Sequence, residues 1–137
     1  MHLQVNGVSI LLAIVASFIV GFLWHGPLFG KQWIKLNKLP TPKKGEMKFS
    51  MMLPGIIASI VMAFMQALLL GMMFDVMDIV TLTPALLITA TLWLPFTGLV
   101  LVNEYAWLGK SPMLMAYDAL YNLVSMCAIT AVLIAMA

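Results

Sequence analysis

Four long apolar segments constrain this chain more than any other feature of its sequence. Each is long enough to cross about 30 Å of hydrocarbon as an α-helix. The chain is 64% hydrophobic and 9% charged, whereas soluble domains carry about 25% charged residues. We therefore expect an all-α, single-domain integral membrane protein with four transmembrane helices. The predicted spans are residues 5–24, 51–74, 84–107 and 113–136.

The lysines predict how these spans are oriented. All seven basic residues are lysines; six lie in the 25–50 connection between the first two spans, and Lys110 lies between the last two. The middle connection carries Asp75 and Asp78 instead. Since cytoplasmic loops are enriched in lysine and arginine, both lysine-bearing loops are expected in the cytoplasm. The sequence thus predicts an antiparallel bundle with both termini outside the cytoplasm.

Several classes of function have little support in the sequence. Without arginine the chain lacks bidentate phosphate clamps, so we expect no nucleic-acid partner. The single cysteine, Cys127, excludes an intramolecular disulfide. The methionines are interpreted as apolar filler, and neither a cofactor nor a metal site is predicted because no ligand set has suitable spacing. No nucleophile accompanies the acidic residues, which favours a protein that is not an enzyme.

The end of the first span, residues 23–33, reads as a helix reaching the membrane surface. A Gly-Pro pair is expected to end regular helix. Lys31 then lies between Trp24 and Trp33, and we predict all three as membrane-interface anchors. Residues 32–38 are expected to form a short interfacial helix whose apolar side, including Trp33, faces lipid.

Small residues recur at every fourth position in the first two spans. Steps of four keep positions near one helix face, and small side chains let helix backbones approach closely in lipid. We therefore predict a close antiparallel hairpin of these spans, with a homodimer contact as the alternative. The small-residue positions are Ser9, Ala13, Ser17 and Gly21 in the first span, and Gly55, Ser59, Ala63, Ala67 and Gly71 in the second.

Two further features within the spans predict local structure. Pro95 should kink the third span and free the carbonyl of Thr91. The hydroxyls of Thr89, Thr91 and Thr97 can help to satisfy the loosened backbone. Gln66, the lone amide in the middle of the second span, is expected to bond to another helix.

Polar and ionisable side chains at the end of the first and third spans and at the start of the fourth form a candidate polar pocket. Such groups are costly within a membrane, so each is a functional hypothesis. Under the predicted topology they lie at similar depth near the cytoplasmic boundary, with Lys31 or Lys110 as a counter-charge. They can serve as a structural lock between helices or as a ligand or ion site. The candidate residues are His25, Asn103, Glu104, Asp118, Tyr121 and Asn122.

The segment that ends the first span resembles the signature of domain-of-unknown-function family 1761, a family of small bacterial membrane proteins. That signature reads Gly-x-Leu-Trp-Tyr-x-Pro-Leu-Phe-Gly-Lys-x-Trp, and His25 stands where tyrosine is usual. Glu104, Lys110 and residues 121–125 are similar to the family's closing pattern. The resemblance covers nearly the whole chain and implies a four-helix inner-membrane protein of no assigned activity. The matching positions are Trp24, Pro27, Leu28, Phe29, Gly30, Lys31 and Trp33.

Two functions fit these features. The first is a non-enzymatic scaffold or assembly component that acts as a homo-oligomer, with membrane lipids as its other partners. The alternative is a small-solute or ion carrier that uses Glu104 and Asp118 as protonatable groups for an unidentified ligand. Both acids in one cavity would favour a carrier, whereas acids that face water or structural partners would favour a scaffold.

Overall fold

The computed structural model describes residues 5–38 and 49–137, and α-helix dominates both ranges. As predicted, four helices are long and apolar enough to cross a membrane. Three lysines on which the orientation prediction partly depends, Lys43, Lys44 and Lys48, lie outside the described residues. The four long helices are Gly7–Leu28, Phe49–Val76, Leu82–Trp107 and Pro112–Ala135.

The described residues form six α-helical elements and two wider turns, and all of these except α2 belong to the four long helices. The α-helices are α1 (Gly7–Leu23), α2 (Gly30–Leu36), α3 (Phe49–Val76), α4 (Leu82–Trp93), α5 (Leu99–Trp107) and α6 (Pro112–Ala135), and the π-helical turns are Trp24–Leu28 and Leu94–Gly98.

Each π-helical turn contains a proline. In the first, the backbone N–H of Phe29 donates to the carbonyl oxygen of Trp24, five residues earlier, at 3.0 Å. Because Pro27 has no N–H to donate, the chain widens around it. Regular α-helix stops before the Gly-Pro pair, as predicted, yet the chain continues as a helical turn and leads directly into α2. The turn at Pro95 joins α4 to α5 in the same way.

The last helix, α6, lies at the centre of the described structure and packs against α1, α3, α4 and α5. Two buried hydroxyl pairs fix it to its neighbours. The Oγ atoms of Ser17 and Ser125 are 2.9 Å apart, and the Oγ1 atoms of Thr89 and Thr130 are 2.6 Å apart. Because polar groups inside a membrane need internal partners, these pairs link α1 and α4 to α6.

The small-residue stripes pack differently from the predicted hairpin. The first helix packs on both α3 and α6, and most extensively on α6. The reason is that α6 offers its own small hydroxyl, Ser125, at the contact. A Cβ on Gly71 would lie 2.1 Å from a methyl of Val5, so the residues just before α1 approach α3 closely there. Of the nine predicted positions, Ser9, Ala13, Ser17, Ala63, Ala67 and Gly71 are buried, Gly21 and Ser59 are half-buried, and Gly55 is exposed.

Two predictions about polar side chains within the spans are wrong for Thr89, Thr91 and Gln66, whereas the role predicted for Thr97 stays a prediction. The hydroxyls of Thr89 and Thr91 donate one turn upstream, to the carbonyls of Ala85 and Leu87, and leave the carbonyl of Thr91 without their help. A threonine in a helix reaches the preceding turn most easily. Gln66 bonds to no other helix among the described residues: its Oε1 is buried without a partner, beside an apolar groove of about 310 Å³.

Candidate functional site

The carboxylate of Asp118 is the polar centre of one end of the bundle. It lies half-buried in the second turn of α6. Its Oδ1 accepts a hydrogen bond from the indole Nε1 of Trp33 at 3.1 Å, and its Oδ2 accepts one from the hydroxyl of Tyr105 at 2.5 Å. Both oxygens are thus engaged by neutral donors from two other elements, α2 and α5. One carboxylate joins three separate parts of the chain.

One of these donors, Tyr105, is also in contact with a lysine. The Nζ atom of Lys110 lies 4.5 Å from the centroid of the Tyr105 ring, which is within the range of a cation–π contact. The turn that places it is closed by hydrogen bonds from Gly109 N to Ala106 O and from Lys110 N to Tyr105 O. Gly109 adopts a φ of +64°, which suits a residue without a Cβ. The predicted counter-charge therefore reaches Asp118 only through the phenol of Tyr105.

An aromatic cluster surrounds this centre. The exposed ring of His25 meets the rings of Tyr121 and Trp33 edge-on, with centroids 4.6 and 5.4 Å away. Its Nδ1 donates to the carbonyl of Gly21 at 3.1 Å, since a carbonyl can only accept. These contacts hold the π-helical turn against α6. The cluster consists of Trp24, His25, Phe29, Trp33, Tyr117 and Tyr121.

Two more contacts attach α2 and the π-helical turn to α6. The hydroxyl of Tyr117 donates to Oε1 of Gln32, and the ring centroids of Phe29 and Tyr117 are 5.1 Å apart. The buried Nε1 of Trp24 has no hydrogen-bond partner among the described residues. The chain from Trp24 to Leu36 is consequently folded back onto the first turns of α6.

The structure brings together only part of the predicted pocket. His25, Tyr121 and Asn122 lie around Asp118, and the Nδ2 of Asn122 donates to the Asp118 backbone carbonyl at 2.9 Å. Asn103 and Glu104 are exposed instead. Among the described residues, no group of three or more histidine, cysteine, aspartate or glutamate side chains could hold a metal ion.

The sequence analysis missed the two donors to Asp118. A short helix after the first span was predicted and is present as α2, but the prediction that Trp33 faces lipid is wrong, because its N–H bonds to Asp118. Tyr105 was not identified at all. A signal for both exists: a buried indole N–H or phenol O–H requires a hydrogen-bond partner, and Asp118 is the acidic residue at the start of the last span.

Comparison with known proteins agrees with the predicted resemblance. A family model described as "Protein of unknown function (DUF1761)" matches residues 8–134, a range that includes α2 to α5 and almost all of α1 and α6. No curated protein and no solved structure matches the chain.

Proposed function

The chain belongs to the DUF1761 family of unknown function, and we propose that it acts as a non-enzymatic scaffold in a bacterial inner membrane. The observation that carries this proposal is the engagement of both Asp118 oxygens by Trp33 and Tyr105. A carrier needs an acid that can exchange protons with a pathway, whereas this acid is committed to holding three elements together. The other acid, Glu104, is exposed.

The proposed topology is an antiparallel bundle with both termini outside. The contact between Trp33 and Asp118 supports it, because this contact places the start of the first lysine-bearing connection beside the start of α6. Lys110, from the second lysine-bearing connection, lies over the ring of Tyr105 at the same site. Both lysine-bearing segments therefore share one end of the molecule, which the positive-inside rule assigns to the cytoplasm.

The proposed scaffold acts as a homo-oligomer through the outer face of α3. A Cβ on Gly55 would meet no atom within 4 Å, so this small residue leaves room for another helix. A second copy of the chain can supply that helix, since small residues let two backbones approach closely in lipid.

Substitution of the two acids tests the scaffold against the carrier. In Asp118→Asn, one carboxylate oxygen becomes an NH₂ group that faces a donor, so we expect a loss of about 1–3 kcal/mol in unfolding free energy. The matched control, Glu104→Gln, removes the same charge at an exposed site and should change it by less than about 0.5 kcal/mol. Unfolding in detergent micelles, followed by circular dichroism, measures both.

The carrier would give the opposite result. Both variants would then unfold like the unmodified protein, and Asp118→Asn would abolish uptake driven by a pH gradient in proteoliposomes. That outcome would replace the scaffold by the carrier.

A further inference from the structure

A polar groove lies next to the Asp118 site, where α2 ends and the turn between α5 and α6 begins. Its volume is about 410 Å³. Unlike the apolar grooves between the spans, it is lined by two lysines, an asparagine and a serine. We refer to it as the two-lysine groove; its lining residues are Leu36, Asn37, Lys38, Gly109, Lys110, Ser111 and Leu114.

The backbone holds both lysines at the ends of helices. Lys38 adopts a φ of 54°, in the left-handed region, directly after α2. Its N–H donates to the carbonyl of Lys35 at 3.2 Å. The N–H of Lys110 donates to the carbonyl of Tyr105, and its ammonium is held over the Tyr105 ring at 4.5 Å. Hydrogen-bonded backbone turns therefore place both lysine residues at the same groove.

The polar side chains between the lysines retain hydrogen-bond donors. Ser111 Oγ accepts a bond from the backbone N–H of Met113 at 3.2 Å, which leaves its own hydroxyl hydrogen to donate. Asn37 Nδ2 donates one of its two hydrogens to the carbonyl of Trp33 at 2.9 Å, and the other remains to donate. Two lysines thus line one groove together with a serine and an asparagine that each keep a hydrogen to donate. This donor set suits an oxyanion with several acceptor oxygens.

The position of the groove determines which anions can reach it. It lies at the ends of membrane-spanning helices, and Leu36 and Leu114 lie on its wall beside the polar groups. Such a site borders both the lipid headgroups and water. On the cytoplasmic side, where the proposed topology puts it, the headgroups include anionic lipids.

We propose that the two-lysine groove binds a phosphate group, supplied by the headgroup of an anionic lipid or by a soluble phosphate ester. The inference deepens the proposed scaffold function by giving its basic end a specific ligand, and it rests on that function's membrane topology. Lys38 and Lys110 provide the charge, while Ser111 and Asn37 provide directional donors. The groove would thereby couple a bound headgroup to Tyr105 and, through it, to Asp118.

Native mass spectrometry of the full chain in detergent tests this proposal with phosphatidylglycerol as the probe. Lys38→Gln and Lys110→Gln should each weaken binding by about fivefold, the effect of one lysine near a charged headgroup. The matched control is Lys35→Gln, which removes the same charge from α2 at a position that does not line the groove. Lys110→Arg keeps the charge and should retain binding. Comparison with this variant shows whether Lys110→Gln loses binding through its charge or through misfolding.

A second arm of the experiment separates the two sources of phosphate. Titration with glycerol phosphate, followed by thermal unfolding, detects a soluble ester. If glycerol phosphate stabilises the protein and both lysine variants lose this effect, the groove binds a soluble ligand. If glycerol phosphate has no effect but phosphatidylglycerol stays bound in the mass spectrometer, the groove binds a lipid headgroup. Equal weakening by all three lysine-to-glutamine variants, or no saturable binding of either probe, overturns the proposal. The stability of Asp118→Asn in the absence of any probe reports separately on the scaffold function.

Discussion

At the scale of single residues, Asp118 shows how hydrogen bonds from neutral groups can hold a carboxylate at the end of a helix bundle, since no described residue forms an ion pair with its oxygens. A carboxylate there is costly unless its oxygens are hydrogen-bonded. Trp33 and Tyr105 provide one bond each, and Lys110 adds its charge through the Tyr105 ring. Loss of one neutral donor leaves an acceptor unsatisfied, and this penalty exceeds the net value of an ordinary hydrogen bond.

Trp33→Phe should therefore destabilise the fold although it keeps an aromatic ring. The substitution removes the indole N–H and leaves Oδ1 of Asp118 without that donor. We expect a loss of about 1–3 kcal/mol in unfolding free energy, measured by thermal unfolding in detergent. Trp107→Phe is the matched control, because the Trp107 side chain is 85% exposed. Equal stability of the two variants would contradict the assigned role of the Trp33–Asp118 bond.

At the scale of helices, the sequence features that predict where the spans lie differ from those that determine which spans pack together. The apolar runs predicted four spans because span length is a local property set by bilayer thickness. They did not predict that α6 is central, because all four spans are apolar and lipid provides no hydrophobic force to choose between their faces. The choice is made by particular residues, such as the hydroxyls of Ser125 and Thr130. Spacing alone does not show which helix such residues meet.

The same limit applies to the candidate site. His25, Asp118, Tyr121 and Asn122 could be grouped from their positions near helix ends. Trp33 was assigned to lipid instead, because tryptophan at a membrane boundary usually signals an anchor. Its true direction depends on the π-helical turn at Pro27, which folds α2 back towards α6. A turn of this kind is not encoded by hydropathy.

Two glycine substitutions in α3 separate packing within the chain from packing between chains. Gly71→Ala should destabilise the monomer by about 1–3 kcal/mol, since its Cβ would lie 2.1 Å from a Val5 methyl. Gly55→Ala meets no atom of the described residues within 4 Å and should leave monomer stability unchanged or slightly raised.

Chemical crosslinking in membranes should show fewer dimers for Gly55→Leu. Undiminished dimers with Gly55→Leu would place the proposed oligomer contact elsewhere.

At the scale of the whole molecule, the charges of its connections are the basis of the proposed orientation. One end carries the lysines of α2 and Lys110, whereas Asp75 lies in the last turn of α3 and Asp78 in the connection from α3 to α4. This asymmetry makes the proposed topology a testable property of the intact chain in its membrane.

Cysteine labelling measures that orientation directly. In a Cys127→Ser background, we expect a membrane-impermeant thiol reagent added to spheroplasts to label Asp78→Cys and to spare Lys35→Cys. Both positions lie outside the long helices that can cross the membrane, so permeabilised cells should label both and serve as the control. Labelling of Lys35→Cys in intact spheroplasts would invert the proposed topology.

The central place of α6 has a consequence for biosynthesis. A ribosome delivers α1, α3 and α4 to the bilayer before the helix on which they all pack has been made. Until α6 arrives, the hydroxyl of Ser17 lacks Ser125, that of Thr89 lacks Thr130, and Trp33 lacks Asp118. Before α6 is synthesised, the nascent helices lack these contacts and remain accessible to insertion factors or other helices. The bundle can be completed only after the final segment has been translated.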